Sequence, residues 1–189
     1  MWGVGEDRPV PGTHRCLYYN TDSRQSFRIG ERFRALRIIP GMPVIVVGAD
    51  SELGEAVIAR LQTRAGEVRA FVSDPTVSQR FRLQGIKVAI GDVSDLSHVA
   101  AASARAFSAI LITAAATDGR ETAFADPRQV VEGWLGAIAD AGVSRIILVG
   151  EMSTPVSPRG VELALVPTAG RSPAEVAEEV AGLDDAARL

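Results

Sequence analysis

From about residue 42 onward, short apolar runs alternate with segments whose apolar residues recur every three or four positions. The short runs are typical of buried strands, and the longer spacing is typical of helices that turn one face to a core. This alternation is the pattern of βαβ units around a parallel sheet with helices on both faces. The predicted strands cover residues 43–49, 67–73, 87–91, 108–115, 144–150 and 161–167.

Two of the helical segments carry further signals. Trp134 lies on the apolar stripe of the segment before the fifth strand, so we predict a core position for it. The last helix is predicted to begin at SPAE, where Ser172 can cap the helix and Pro173 takes the first helical position. Glu175 completes a capping box with Ser172.

Six strands in this alternation predict a doubly wound α/β fold with strand order 3-2-1-4-5-6, in which ligands bind beyond the carboxyl ends of the strands. The last strand is expected to be irregular. Only the residues EMSTPVSPRG separate it from the fifth strand, whereas a parallel crossover usually needs a dozen or more residues including a helix. We therefore expect strand 161–167 either to run antiparallel to its neighbour or to follow an unusually tight link.

Residues 1–41 do not follow this repeat, because proline, glycine and arginine are scattered through them without a clean period. We interpret them as an N-terminal extension or as an upstream, misassigned start. Residues 42–189 are predicted to form a single domain, since 189 residues that are 47% hydrophobic suffice for one compact core.

The charge, the apolar runs and the cysteine content of the sequence exclude several classes of binding partner. A formal net charge of −3 argues against nucleic-acid binding, and the longest apolar run is too short to cross a membrane. Cys16 is the only cysteine, so no internal disulfide can form, and no group of ligands has the spacing of a metal site. We expect a cytoplasmic protein without a metal, nucleic-acid or membrane partner.

The first predicted strand runs into the turn GADSELG, residues 48–54. In nucleotide-binding turns, glycines allow a tight bend and a close backbone approach, and the amides of the following helix hold a pyrophosphate. Gly48 and Gly54 can serve these purposes. Ser51 stands between them and is itself a good N-cap, which can occupy a helix amide.

Three acidic residues surround the same turn. Asp50, Glu52 and Glu55 are each expected to stabilise the positive end of the helix and to repel an incoming phosphate. Two interpretations therefore stay open: a working dinucleotide site, or a helix capped by its own side chains within an inherited fold.

The turn resembles the GATGxxG turn of the NmrA-like group of atypical short-chain dehydrogenases. The segments VRAFVSDP, VAIGDVSD, SAILITAAA and AGVSRIILVGEMS follow the order and spacing of that family over about residues 42–153. The resemblance implies a Rossmann-like, NAD(P)-binding domain. It implies a cofactor site of Gly48, Asp50, Ser51, Glu52, Leu53 and Gly54 in the turn, Ser73 after the second strand, Asp92 and Val93 against the adenine, and Ala114 and Ala115 beside the ribose and pyrophosphate.

The choice between NAD and NADP depends on the end of the second strand. Relatives that use NADP usually place an arginine there, whereas this chain has Ser73 followed by Asp74. A carboxylate disfavours the doubly charged 2′-phosphate, so NAD is slightly preferred, and the absence of any cofactor stays open.

The catalytic groups of short-chain dehydrogenases are missing from their expected places. That chemistry uses a tyrosine and a lysine four residues later, but the only tyrosines are Tyr18 and Tyr19 and the only lysine is Lys87. Where the family carries its serine after the fifth strand, this chain has Gly150 and Glu151. We predict no catalytic residue and leave open whether the protein is an enzyme.

Three functions remain open at this stage. The first is a weak dinucleotide-binding or ligand-free protein that acts as a sensor, regulator or partner subunit. The second is an NAD(P)H-dependent reductase that transfers hydride by positioning alone, as in relatives that resemble flavin reductases. The third is a structural module that docks onto another chain. A protein partner or a homodimer is compatible with all three.

Overall fold

A computed structural model describes residues 41–64, 66–117, 127–152 and 155–189. The predicted N-terminal extension lies outside the described residues except for its last position, Gly41, which already belongs to the first strand.

The described residues form one sheet of parallel strands with helices on both of its faces, in strand order β3-β2-β1-β4-β5-β6. This confirms the predicted doubly wound fold. The strands are β1 (Gly41–Val47), β2 (Gly66–Val72), β3 (Lys87–Ile90), β4 (Ser108–Ile112), β5 (Arg145–Val149) and β6 (Glu162–Val166). The α-helices are α1 (Glu52–Gln62), α2 (Pro75–Leu83), α3 (Leu96–Ser103), α4 (Pro127–Asp140) and α5 (Pro173–Asp185), and a 3₁₀ helix covers Thr113–Thr117.

Two apolar clusters cover the two faces of the sheet. Alternate side chains of the strands pack against α1, α2 and α5 on one face and against α3 and α4 on the other. Because both faces are buried, the central strands read as continuous apolar runs instead of alternating ones. Trp134 is completely buried in the second cluster, as its helical stripe predicts.

Two predicted strands extend too far toward the carboxyl edge. The first ends at Val47 and not at residue 49, because Gly48 turns the chain with a φ of +79°. The fourth ends at Ile112, where the 3₁₀ helix begins. Alanines fill most of that helix, and they lack the branched side chains that favour extended backbone.

β6 runs parallel to β5, with Arg145 opposite Glu162 and Val149 opposite Val166. The antiparallel alternative is therefore wrong, and the tight link is what the structure shows. No helix occurs in the described residues between these strands, since only residues 153–154 are missing from that stretch.

The C-terminal helix is fixed at both ends. At its start, Ser172 and Glu175 form the predicted capping box. At its other end, the guanidinium of Arg145 is 1% exposed and donates hydrogen bonds to the carbonyls of Leu183, Asp184 and Ala186 at 2.8, 2.9 and 2.8 Å. A cation is favourable at the negative end of a helix, so Arg145 joins the sheet to α5.

None of the helices in the described ranges is both long enough and apolar enough to span a membrane. The same residues contain no group of three or more potential metal-ligating side chains of His, Cys, Asp or Glu.

Candidate functional site

The strands of a parallel sheet all end at the same edge, and the turns that follow them line that edge. Every residue of the predicted cofactor site lies in one of these turns or at the start of the following helix. The turn after β1 comes between the turns after β2 and β4, because β1 pairs with both strands. The structure therefore brings the predicted residues to one edge of the sheet.

The glycine turn closes on itself through Ser51. The Ser51 hydroxyl accepts a hydrogen bond from the Gly54 amide at 3.0 Å and donates one to the Gly48 carbonyl at 2.9 Å. Ser51 is thus the N-cap of α1, as its position in the sequence predicts. One of the amides that a pyrophosphate could use is already satisfied by the chain itself.

The two outer glycines are required by the fold. A Cβ on Gly48 would lie 2.4 Å from the Cβ of Ala115, and a Cβ on Gly54 would lie 2.5 Å from the carbonyl oxygen of Gly48. Both glycines therefore allow close packing of the turn, α1 and the 3₁₀ helix after β4. Their presence is explained without any ligand.

Asp50 connects the glycine turn to the turn after β2. Its Oδ2 accepts hydrogen bonds from the backbone amides of Ser73 at 2.7 Å and Asp74 at 3.1 Å. The carboxylate thus accepts bonds from two amides of a neighbouring turn and not from the amides at the start of α1.

The three acids of the turn therefore have different roles, contrary to the expectation of a common one. Glu55 forms an ion pair with Arg80 of α2, and Glu52 is exposed at the first position of α1. Arg80 compensates the charge of Glu55. Asp50 and Glu52 are therefore the residues of the turn that mainly repel an incoming phosphate.

Two helix amides still fit a phosphate group. Within the described part of the chain, no hydrogen bond to the amides of Glu52 and Leu53 comes from the turn. Amides in the first turn of a helix point out of its end and can hold an anion. The turn therefore fits a pyrophosphate, but with fewer donors than an open helix end provides.

The turn after β2 uses its own side chains for local bonds. The Ser73 hydroxyl donates to the Gly91 carbonyl at 3.3 Å, and Asp74 caps α2 by accepting bonds from the amide and hydroxyl of Thr76 at 2.7 Å each. These bonds, that of the Thr76 hydroxyl above all, lower the pKa of Asp74, so this carboxyl is ionised at neutral pH.

The two residues predicted to contact adenine follow β3. Asp92 accepts hydrogen bonds from the amide and hydroxyl of Ser94 at 2.8 Å each. The Val93 side chain is buried in the core, and its carbonyl accepts a bond from the indole of Trp134 at 2.6 Å. Val93 therefore attaches this turn to α4, and its side chain does not face the surface.

A cavity of about 460 Å³ opens at the carboxyl ends of β4 and β5. Its size lies in the range of small-molecule sites. Of the predicted cofactor residues, only Leu53 and Ala114 line it. The described residues that line it are Leu53, Thr113, Ala114, Pro127, Arg128, Val131, Val149, Gly150, Glu151, Met152 and Thr168.

Glu151 forms the same kind of bonds as Asp50, at the same edge of the sheet but next to β5 and β6. Its Oε1 accepts hydrogen bonds from the amides of Thr168 and Ala169, both at 2.6 Å, and from the Thr168 hydroxyl at 3.1 Å. The amide bonds lower the pKa of Glu151, so it is a carboxylate at the wall of the cavity. In the sequence, Glu151 was noted only because it stands where the family carries a serine. Its place two residues after the end of β5 was the signal that could have identified it as a residue of the site.

The only lysine lies far from this edge. Lys87 is the first residue of β3, and its ammonium forms an ion pair with Glu67 near the start of β2. It therefore lies at the amino ends of the strands, away from the cavity. Tyr18 and Tyr19 lie outside the described residues.

Comparisons with known proteins agree with this geometry. Residues 48–178 match the family described as NAD(P)H-binding. None of the curated proteins matches the chain. Similar solved structures include ChuY, an anaerobillin reductase from Escherichia coli O157:H7, which is 19% identical, with 77% of this chain and 92% of that chain covered and a TM-score of 0.55.

Two further structures are similar. A Rossmann-fold NAD(P)-binding family protein from Shigella flexneri is 15% identical, with 77% of this chain and 87% of that chain covered and a TM-score of 0.58. BdcA from E. coli is 18% identical, with 76% and 89% covered and a TM-score of 0.54. At these identities the likeness shows the fold alone.

Proposed function

We propose that this chain, which belongs to the NAD(P)H-binding family, binds NAD(H) weakly and acts as a sensor, regulator or partner subunit without Tyr/Lys dehydrogenase chemistry. The family match and the sheet order confirm the resemblance to NAD(P)-binding atypical short-chain dehydrogenases. The observation that carries the proposal is the closed glycine turn, in which Ser51 already occupies the amide of Gly54.

The residues present support a weak site. Gly48 and Gly54 keep the backbone close to the start of α1, and the amides of Glu52 and Leu53 would hold the pyrophosphate. The cavity beside Leu53 and Ala114 continues from this point toward β5 and has room for a nicotinamide ring. When bound, the cofactor supplies a hydride donor or acceptor, whereas the chain itself supplies position and electrostatics.

The first test is a calorimetric titration with NADH of the wild type and of Ser51→Gly. For the wild type we expect a Kd on the order of 0.1 mM or weaker, about 5.5 kcal/mol of binding free energy or less. Ser51→Gly removes a Cβ and frees one amide, so we expect binding about tenfold tighter. Replacing a serine cap by glycine costs only about a few tenths of a kcal/mol of stability, so the variant should fold.

Ser172→Gly is the matched control. Ser172 caps α5 through the same kind of bond but lies in the turn before a helix that contributes nothing to the cavity. Its replacement should leave NADH affinity unchanged. Micromolar binding by the wild type, or equal affinities for the wild type and Ser51→Gly, would contradict the proposal that the closed turn weakens the site.

The cavity supports a second candidate, a reductase that acts by positioning alone. A space of about 460 Å³ accommodates a nicotinamide ring and part of a small acceptor, and it is lined by apolar groups together with Thr113, Arg128 and Glu151. The test is the oxidation of NADH with a flavin or a quinone as acceptor. The loss of NADH absorbance measures the rate. Sustained turnover would replace the sensor proposal by this one.

A further inference from the structure

The end of β2 contains a pair of backbone donors that already hold an anion. The amides of Ser73 and Asp74 both donate to Oδ2 of Asp50, which lies 23 and 24 residues earlier in the chain. In dinucleotide-binding folds the end of this strand is where the ribose 2′ position is recognised, by an acidic side chain for a hydroxyl or by a basic one for a phosphate.

We propose that Asp50 is the specificity-determining residue that makes this site accept an unphosphorylated adenosine ribose and reject a 2′-phosphate. The inference rests on the proposed function, because it concerns the discrimination between two dinucleotides by a site that binds one of them. It assigns the main part of that discrimination to the glycine turn, and the charge of Asp74 after β2 adds to it.

Competition for donors is the first reason. A 2′-phosphate held by the amides of Ser73 and Asp74 would have to displace a carboxylate that is tethered beside them and is partly buried. Charge-assisted bonds of this kind are stronger than bonds between neutral groups. Both bonds end on Oδ2, so within the described residues Oδ1 is the oxygen available to accept a bond from a ribose hydroxyl.

The charges around Asp50 are the second reason. Asp74 is ionised beside the same turn, because its bonds to Thr76 lower its pKa. Arg80 of α2 is a cation near this end of the sheet, and it is paired with Glu55. A phosphate dianion would therefore meet two carboxylates and a cation whose charge is already balanced, whereas a neutral hydroxyl would meet two acceptors.

The test measures binding of NADH, NADPH, adenosine 5′-monophosphate and adenosine 2′,5′-bisphosphate by calorimetry. The proteins are the full-length wild type, Asp50→Asn and Asp50→Thr. Asn keeps an oxygen that can accept the two amide bonds, so it removes the charge and keeps the shape. Asp50→Thr also removes the charge, so the test can still be made if Asp50→Asn does not fold.

Glu52→Gln is the matched control, because Glu52 lies two residues away on the same helix end and is exposed, with no bond to the turn after β2. We expect the wild type to bind NADH at least about tenfold more tightly than NADPH, and both Asp50 variants to reduce that ratio to about threefold or less. Glu52→Gln removes a charge that repels the pyrophosphate common to both dinucleotides, so it should strengthen the binding of both together and leave the ratio unchanged. Adenosine 5′-monophosphate and adenosine 2′,5′-bisphosphate should follow the same order as NADH and NADPH.

Two results would overturn the proposal, and they are distinguishable. If NADH binds but the ratio is the same in the wild type and both Asp50 variants, Asp50 is not the determinant, although the dinucleotide function stands. An equal change of the ratio in Glu52→Gln has the same meaning, since it would show a general charge effect. If no protein, including Ser51→Gly, binds any of the four ligands at millimolar concentration, the proposed function fails and the inference fails with it.

Discussion

At the scale of single residues, the site consists of groups that already have partners. Gly48 and Gly54 are fixed by packing, Ser51 by the helix end and Asp50 by two amides of another turn. A ligand would therefore have to use the donors that these side chains leave, which is why we expect its affinity to be low.

The packing role of Gly54 gives a prediction about stability. Gly54→Ala places a methyl group against backbone that cannot move aside, so we expect a loss of about 1–3 kcal/mol in the free energy of unfolding. Gly136→Ala makes the same change on the exposed face of α4, where nothing lies within 4 Å. There the better helix propensity of alanine should increase stability by about 0.5–1 kcal/mol. Urea unfolding measures both, and a loss of stability in Gly136→Ala would contradict this account.

The sequence predicted some of these residue roles and not others. Local spacing is enough to identify Gly54 and the caps Ser51 and Ser172, because their partners lie three to six residues away. Gly48 is identified by its place at the start of the turn, although the atoms that its Cβ would meet belong to Ile112 and Ala115, far along the chain. The bonds of Asp50 could not be predicted, since they join positions 23 residues apart and depend on the pairing of β1 with β2. The acids of the turn therefore looked equivalent in sequence although their partners differ.

At the scale of elements, carboxylates connect the ends of adjacent strands. Asp50 joins the turns after β1 and β2, and Glu151 joins the turns after β5 and β6. Since β6 is an edge strand that follows a link without a helix in its described residues, the bonds of Glu151 help to fix its carboxyl end.

The lowered pKa of Glu151 predicts how this connection depends on pH. Its ordinary pKa is 4.5, and the amides of Ala169 and Thr168 lower it in the folded state. The stabilisation is thus fully present above the unfolded-state pKa and is lost as the pH falls through the lower, folded-state value. We expect the wild type to be more stable than Glu151→Gln at pH 7, with a difference that shrinks below about pH 4.5. Urea unfolding at several pH values measures it, and a difference that does not vary with pH would count against this role.

Arg145 gives a second prediction at this scale. Arg145→Met leaves three carbonyls at the end of α5 and the carboxylate of Glu162 without their donor, so we expect a loss of about 3 kcal/mol in the free energy of unfolding. Arg82→Met is the control, because Arg82 is exposed on α2 and its replacement should have little effect. Similar losses in the two variants would show that the buried contacts of Arg145 are not the cause.

The elements also show the limit of prediction by pattern. The apolar run at β6 predicted a strand, but not its direction, because run length and composition are the same for parallel and antiparallel pairing. Direction follows from contacts across the sheet, such as Arg145 opposite Glu162, which the sequence does not display as a local signal. The 3₁₀ helix after β4 was missed because its alanines extend an apolar run without interruption.

At the scale of the whole molecule, the alternation of strands and helices was enough to predict the order of the sheet. The cavity could not be predicted, because it is formed where the turns after β4 and β5 meet the first turn of α4 and Thr168. These parts are far apart in sequence. Arg128 and Thr168 carry no signal of their own, so sequence reasoning missed them as lining residues.

Residues 41–189 supply a six-stranded sheet with an apolar cluster on each face, which leads to a prediction about the domain boundary. We expect a fragment of residues 41–189 to unfold cooperatively, with a free energy of about 5–15 kcal/mol, and to bind NADH as the full chain does. Chemical unfolding followed by circular dichroism and by fluorescence of the buried Trp134 provides the measurement. A fragment that aggregates or unfolds without a cooperative transition would show that residues 1–40 belong to the domain.

The position of α5 has a consequence for the order of events during synthesis. This helix packs on α1, which lies more than a hundred residues earlier in the chain. Its end provides the acceptors for Arg145 at the start of β5. A nascent chain that has left the ribosome only as far as β5 therefore has an exposed apolar face on α1 and a guanidinium without its carbonyls. Such a chain can complete its core only after residues 173–186 have been synthesised. Until then it exposes apolar surface of the kind that chaperones bind.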